Sequence, residues 1–283
     1  MSTQEQLDWE ARWAKPAAMA AFGTVALLIA GTIVRQAVAL ADRPDDERGF
    51  LVAIDENAGA FLASSVIQAL SFLTLIGVFL YLGRAVLARR PELPGILLWL
   101  GAIGPALLAV ASILSDLNRL DIADEFLASG AQTVERAESL LDDGNVAAAA
   151  LGSAGTLGLA IAFVFIGINA MRVGLLTRFM GIVGAVIGVL YVIPILAGPL
   201  VVQLFWLIAL GVLFLGHWPG GLGPAWQTGE AIEWPSGVSR QREELQQEAA
   251  GEQPALDEPP PGDGANGTNG AAAPRPSRKR KRR

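Results

Sequence analysis

Between Val146 and Ala197 the chain carries two apolar runs, VAAAALGSAGTLGLAIAFVFIGINA and FMGIVGAVIGVLYVIPILA, and neither contains a formal charge. A short connector with Arg172 and Arg178 separates them. Each run is about 20 residues or slightly more, and as a helix it rises roughly 30 Å, the thickness of a bilayer's hydrocarbon core. The pair therefore reads as a transmembrane hairpin. Small residues recur at helical spacing on both halves: Ala150, Ala154, Gly158 and Ala162 on the first, and Gly181, Gly184, Ala185 and Gly188 on the second. In lipid, apolar side chains gain nothing by leaving their surroundings, so such ridges let two backbones approach and pack by van der Waals contact. The expected centre of the bundle is this hairpin.

The rest of the chain extends the pattern. Further apolar runs over 17–34, 59–82, 95–114 and 200–216 join those over 146–170 and 179–197, so the expected fold is an all-α, polytopic bundle of six spans. Residues 1–16 are polar, with Trp9 and Trp13 spaced as neighbours on one helix face, and read as an interfacial segment. The first run followed by Ala39-Leu40-Ala41 also resembles a signal peptide. Glu5, Asp8 and Glu10 ahead of it, and the length of the run, weigh against cleavage. Pro94 suits the first turn of the third span, and Gly104-Pro105 near its middle predicts a kink. The segment from Ser115 to Asn145 is acidic, and Leu127, Val134, Ala137 and Leu141 predict short amphipathic helices lying on the surface.

Orientation follows from the basic residues beside the spans. With the amino terminus in the cytoplasm, the short inner segments hold Arg12, Lys15, Arg84, Arg89, Arg90, Arg172 and Arg178. The outer loops are longer and carry an excess of acid over Arg35, Arg43, Arg48, Arg119 and Arg136. Six spans return the carboxyl terminus to the cytoplasm. Residues 217–236 hold Trp218, Trp226 and Trp234 among Gly and Pro and suit a juxtamembrane segment, and 237–283 cannot bury a core and reads as a disordered tail. The tail ends in Arg275, Arg278, Lys279, Arg280, Lys281, Arg282 and Arg283. Each basic residue near an anionic leaflet contributes about 1 kcal/mol, so lipid headgroups are the expected contact, with nucleic acid the rival and reinforcement of topology the plain alternative.

Chemistry is harder to find. The chain is 52% hydrophobic and 17% charged, against roughly 25% charged in soluble domains. It has no cysteine and one histidine, His217, which leaves no thiolate, no disulfide and little basis for a histidine-rich metal centre or a Ser-His-Asp triad. No catalytic, cofactor-binding or metal-binding residue is assigned. The acidic loops lack the oxygen-ligand spacing of a calcium loop, and Gly216 to Gly223 lacks the Gly-Lys-Ser/Thr of a phosphate loop. Asn266-Gly267-Thr268 matches a glycosylation sequon but falls on the inner tail.

Three features remain as candidates. Arg35 and Asp116 lie level at the outer boundary and read as an ion pair, either a gate or an anion contact or, more plainly, snorkelling with a local partner. Ser64, Gln68 and Ser71 share one face of the second span, with Asn169 and Gln203 on neighbouring spans. They could line a small polar cavity or simply bond between helices. Ala154, Gly158, Gly181, Gly184 and Gly188 are the expected packing positions. Gly104-Pro105 and Pro194 are hinges or static kinks.

The stretch from Arg172 to Ser236, chiefly RVGLLTRFMGIVGAVIGVL and GHWPGGLGPAW, resembles uncharacterised multi-span membrane proteins of high-GC bacteria. The resemblance implies a membrane compartment and carries no activity. The expectation is a multi-pass protein of the cytoplasmic membrane with a non-enzymatic scaffold or accessory role, in contact with lipid and with a second copy or another membrane protein. The alternative is a facilitator or permease subunit for a small neutral or apolar solute.

Overall fold

Apolar helices in lipid must close their own backbone hydrogen bonds, and long continuous helices dominate this chain. The computed structural model describes residues 2–41, 46–142, 144–193, 200–219 and 221–234. Among them are α1 (Thr3–Ala41), α2 (Glu47–Glu56), α3 (Ala58–Arg89), α4 (Ile96–Ala128), α5 (Val134–Asp142), α6 (Val146–Arg172), α7 (Arg178–Val192), α8 (Leu200–Phe214) and α9 (Pro224–Thr228). No strand occurs among the described residues. Residues 1–235 and 236–283 are separate units, and only the first is described here. Pro194, the Gly198-Pro199 turn, Asn266 and the basic residues from Arg275 to Arg283 lie outside the described residues.

Four helices, α1, α3, α4 and α6, are long and apolar enough to cross a membrane. The helices α7 and α8 have 15 residues each, about 22 Å, which is less than the hydrocarbon thickness. The apolar run expected over 179–197 passes into residues outside the described set. The protein is thus an all-helical bundle with four span-length helices and two shorter apolar ones beside them.

Two elements run further than their apolar stretches. The helix α1 is continuous from Thr3, so Trp9 and Trp13 lie on the same helix as the first apolar run, with Pro16 inside it. Proline there removes one backbone bond, and Ala17, Ala18 and Ala21 immediately beyond it are buried in the main core. The helix α4 continues past Leu114 to Ala128 because Ala123 and Phe126 keep an apolar edge at helical spacing. That edge packs with Leu51 and Ile54 of α2, Phe61 of α3 and Ala137 of α5 in a second small core. Helix starts carry side-chain caps: Asp46 accepts from Gly49 N at 2.8 Å, Asn145 from Ala148 N at 3.0 Å, and Thr177 from Met180 N at 3.2 Å.

Helices approach where side chains are missing. A methyl group on Gly104 of α4 would lie 2.6 Å from the Leu159 amide nitrogen of α6, and one on Gly155 would lie 2.9 Å from the Leu108 nitrogen. The α4/α6 crossing is therefore a backbone contact. The α6/α7 seam is built the same way, with Gly167 against Gly181 and Gly184, and Gly188 against the Ala160 carbonyl. Gly158 packs on Gly104 of α4, not on α7, and Ala154 is exposed. Gly184 makes room for the Trp206 ring of α8, which donates to the Met180 carbonyl at 2.9 Å. Around it, Phe163 sits edge-on to Phe79 at 4.9 Å and to Trp206 at 5.3 Å, and this aromatic knot fills the middle of the main core.

Candidate functional site, a cavity below two arginines

Among the described residues, buried charge inside the bundle is confined to two levels. At one end Glu10 of α1 pairs with Arg89 of α3, at 2.5 and 3.0 Å. Gln6 donates to Glu10 at 2.9 Å, the Tyr81 hydroxyl donates to the Glu10 carbonyl at 3.1 Å, and Arg89 also donates to the Ala225 carbonyl at 2.6 Å. Trp226 of α9 donates to Leu175 O at 2.9 Å and lies beneath the Arg89 guanidinium at 5.7 Å. This cluster ties the amino terminus, the end of α3 and α9 together. At the other end Asp116 of α4 accepts from Arg35 of α1, from Arg119 at 2.7 Å and from Ser65 of α3.

The levels are separated by 25 positions on α1, from Glu10 to Arg35, and by 24 on α3, from Ser65 to Arg89. Both intervals correspond to about 37 Å of helix, enough to bracket a hydrocarbon core of about 30 Å. Glu10, Arg89 and Asp116 are the buried charged side chains among the described residues, and each is paired.

A cavity of about 710 Å³ lies below the Asp116 cluster. It is walled by α1, α3, α4, α6 and α7. Its mouth is set by Arg35, Asp116 and Arg119. Further along the helices from these charges its wall carries the half-buried Phe72 of α3 and Leu108 of α4, and Leu157 of α6, which is 53% exposed. Ser112 is on the wall but bonds back to Ala109 O at 3.0 Å, so its polarity is largely consumed by its own helix. Tyr191 closes one side and packs on Phe163 with ring centroids 5.8 Å apart, which joins the cavity wall to the aromatic knot.

The expected polar stripe is divided among several environments. Gln68 lines the cavity. Ser64 is buried and donates to Phe61 O at 2.7 Å, and Ser71 donates to Gln68 O at 2.6 Å; neither is among the cavity's lining residues. Gln203 accepts from the Tyr191 hydroxyl at 2.7 Å, which places it behind the wall. Asn169 is at the Arg89 end, where it donates to Phe165 O at 2.8 Å. Arg35 and Asp116 are bonded to each other.

Sequence reasoning passed over Arg119, Ser65 and Tyr191. Arg119 stands one helical turn after Asp116, a spacing that pairs charges on a helix, and it was hidden by being read as loop. Ser65 neighbours the residue chosen for the stripe. The Glu10–Arg89 pair joins two segments far apart in sequence, and nothing local signals it.

Among the described residues no group of three or more histidine, aspartate or glutamate side chains is gathered as a metal site. Comparison with protein-family models, with curated proteins and with solved structures gives no match. The functional reading therefore rests on the residues and their geometry.

Proposed function

We propose that the chain is a six-span protein of a bacterial cytoplasmic membrane with both termini in the cytoplasm, and that it acts without catalysis, as a scaffold or accessory protein. The observation that carries this reading is the placement of buried charge. Every buried acid and base among the described residues is spent in an ion pair at one of two boundary levels, with a packed aromatic core between them. General acid-base chemistry needs a free titrating group at the reacting centre, and proton relays need a series of them at depth. Ala150 and Ala154 leave an exposed small-residue face on α6, on which a second copy or another membrane helix can pack closely. Lipid is the surrounding partner, and the basic tail favours anionic headgroups over nucleic acid.

The absence of cysteine from the sequence makes the topology directly testable. Ser129→Cys, beyond α4, is expected to react with a membrane-impermeant maleimide on intact cells. Glu92→Cys, between α3 and α4, is expected to react only after lysis. Gly198→Cys should behave like the first and Arg283→Cys like the second. Labelling of Arg283→Cys from outside overturns the six-span topology.

A second reading, a facilitator for a small neutral or apolar solute, is favoured by the cavity with Gln68 and Tyr191 on its wall. Below it stand Phe79, Phe163 and Trp206, so passage requires these rings to move. Vesicles containing the protein that shrink and refill in glycerol no faster than empty vesicles remove this reading.

A further inference from the structure

Asp116 is shared by two guanidinium groups. Arginine stays protonated at all relevant pH, so the cluster of Arg35, Arg119 and Asp116 carries one net positive charge. Asp116 is the sole acid among the described residues lining the cavity. The carboxylate is 2% exposed, whereas the Arg35 and Arg119 side chains are 39% and 42% exposed. Each guanidinium has five N–H donors in a rigid fork, and Asp116 takes only part of them. Donors that Asp116 does not take remain on both guanidinium groups, which line the cavity, and the Arg35 group also lies over the Phe61 ring at 5.1 Å.

Below the mouth the character changes. From Arg119 to Leu108 the cavity follows α4 for about 16 Å, and its lining becomes mostly apolar, with Phe72 and Leu157 on α3 and α6 beside the polar Gln68, Ser153 and Thr156. Its volume of about 710 Å³ falls within the usual range for ligand sites, and it is a wide groove open to the surroundings, with Leu157 on its wall 53% exposed. A small inorganic anion would leave the apolar depth unfilled, and a neutral solute would leave the positive charge unanswered. A cation would be repelled.

We propose that the cavity binds a single-chain anionic amphiphile, its headgroup held by Arg35 and Arg119 and its chain laid along Ala111, Leu108, Phe72 and Leu157. Arg35 and Asp116 stand where the apolar runs of α1 and α4 end, so the headgroup sits at the level of the lipid headgroups and the chain at the level of their tails. The inference depends on the membrane placement of the bundle but on neither the span count nor the orientation. Unchanged cysteine labelling with no ligand binding would be a failure of this inference alone.

The test uses the full chain in nanodiscs of phosphatidylcholine, titrated calorimetrically with dodecanoate, dodecanol and dodecyltrimethylammonium, with empty nanodiscs as the partition blank. Dodecanoate is expected to bind saturably, at least about tenfold more tightly than dodecanol, the scale of one charge-assisted hydrogen bond. The cationic probe is expected to show no saturable component. Arg119→Gln leaves Asp116 paired with Arg35 and Ser65, so the melting temperature should hold while dodecanoate affinity falls at least about tenfold. Ser112→Trp fills the cavity from its wall and should abolish saturable binding of dodecanoate. Equal affinities for dodecanoate and dodecanol, or an unchanged dodecanoate affinity in folded Arg119→Gln, overturn the proposal. Where a variant does not fold, the headgroup series on the unaltered protein still decides. Replacing part of the phosphatidylcholine with phosphatidylglycerol distinguishes the source. Undiminished dodecanoate binding supports a free single-chain ligand, and full competition overturns it in favour of a two-chain bilayer lipid.

Discussion

Replacing Glu10 by alanine isolates the energetics of the pair on which the Arg89 end is built. The Arg89 side chain is fully buried and that of Glu10 is 4% exposed, so removing the carboxylate leaves the guanidinium out of bulk solvent, beside a cavity of about 320 Å³ that Glu10 lines. The guanidinium keeps its donations to Ala85 O at 2.9 Å and Ala225 O at 2.6 Å, while its Nε has no protein partner among the described residues. Breaking a buried pair from one side costs about 3–5 kcal/mol, because an uncompensated charge remains. The two carbonyls offset part of this, which places the expected loss near the lower bound, about 3 kcal/mol. In a bundle of this size that corresponds to a fall in melting temperature of roughly 6–12 °C. The assay is thermal unfolding in a mild detergent at fixed scan rate for Glu10→Ala, Arg89→Met and the double variant. The double variant should recover much of the loss, since two apolar side chains then replace a desolvated pair. Asp8→Ala, on the exposed side of the same turn, is the control and should change little. A loss below about 1 kcal/mol for Glu10→Ala, the range of a solvent-exposed pair, would refute the reasoning, because water would then be screening the site.

Three other substitutions or deletions probe the packing. Gly104→Ala puts a methyl group against the α6 backbone, which cannot yield as a side chain can, so a destabilisation of about 1–3 kcal/mol is expected in the same melting assay; an unchanged melting temperature would show that α4 and α6 do not touch there. Gly184→Leu drives into the Trp206 ring at a site with 3.2 Å of clearance, so a blue shift or broadening of tryptophan emission should accompany lowered stability. Deleting residues 237–283 removes none of the first unit, and the truncated chain should still insert and retain the full protein's helical circular dichroism per residue of the remaining bundle. Loss of the membrane-embedded bundle on that deletion would show that the tail is structural.

Helix type and the four long apolar helices were legible because each depends on a run of adjacent residues, and hydropathy over such a run is local information. The ends of α1 and α4 were less legible. Their polar extensions are held by contacts to remote elements, Tyr81 and Arg89 for the first and Leu51, Ile54 and Ala137 for the second. The packing glycines illustrate the same limit. Gly158 was visible as a small residue, but its partner is Gly104, which the sequence presented only as half of a proline kink. A period along one helix tells which face is smooth without telling which neighbour meets it. Ser64 and Ser71 each bond to a carbonyl one turn back on their own helix, while Gln68 donates to the Ser71 hydroxyl at 3.3 Å, and a face shared in sequence does not say which of these bonds form.

The position of the cavity follows from the unequal lengths of two paired helices. The α6/α7 seam starts at the connector and proceeds through Gly167 with Gly181 and Ala160 with Gly188. Since the two run antiparallel, Val192 at the end of α7 comes level with Thr156, and both line the cavity. The part of α6 before Thr156, about 15 Å of helix, extends past the end of α7. One face of this part is taken by α4, where Gly155 meets Leu108 and Gly152 faces Ala111. The other face looks into the cavity. Among the described residues, a 15-residue helix packed against a 27-residue one thus leaves a recess at the end where α4 changes from Leu108 and Ala111 to Asp116 and Arg119. The mismatch sets the recess where α7 stops, the α4 sequence sets the charged mouth where its apolar run ends, and the proposed amphiphile site uses both.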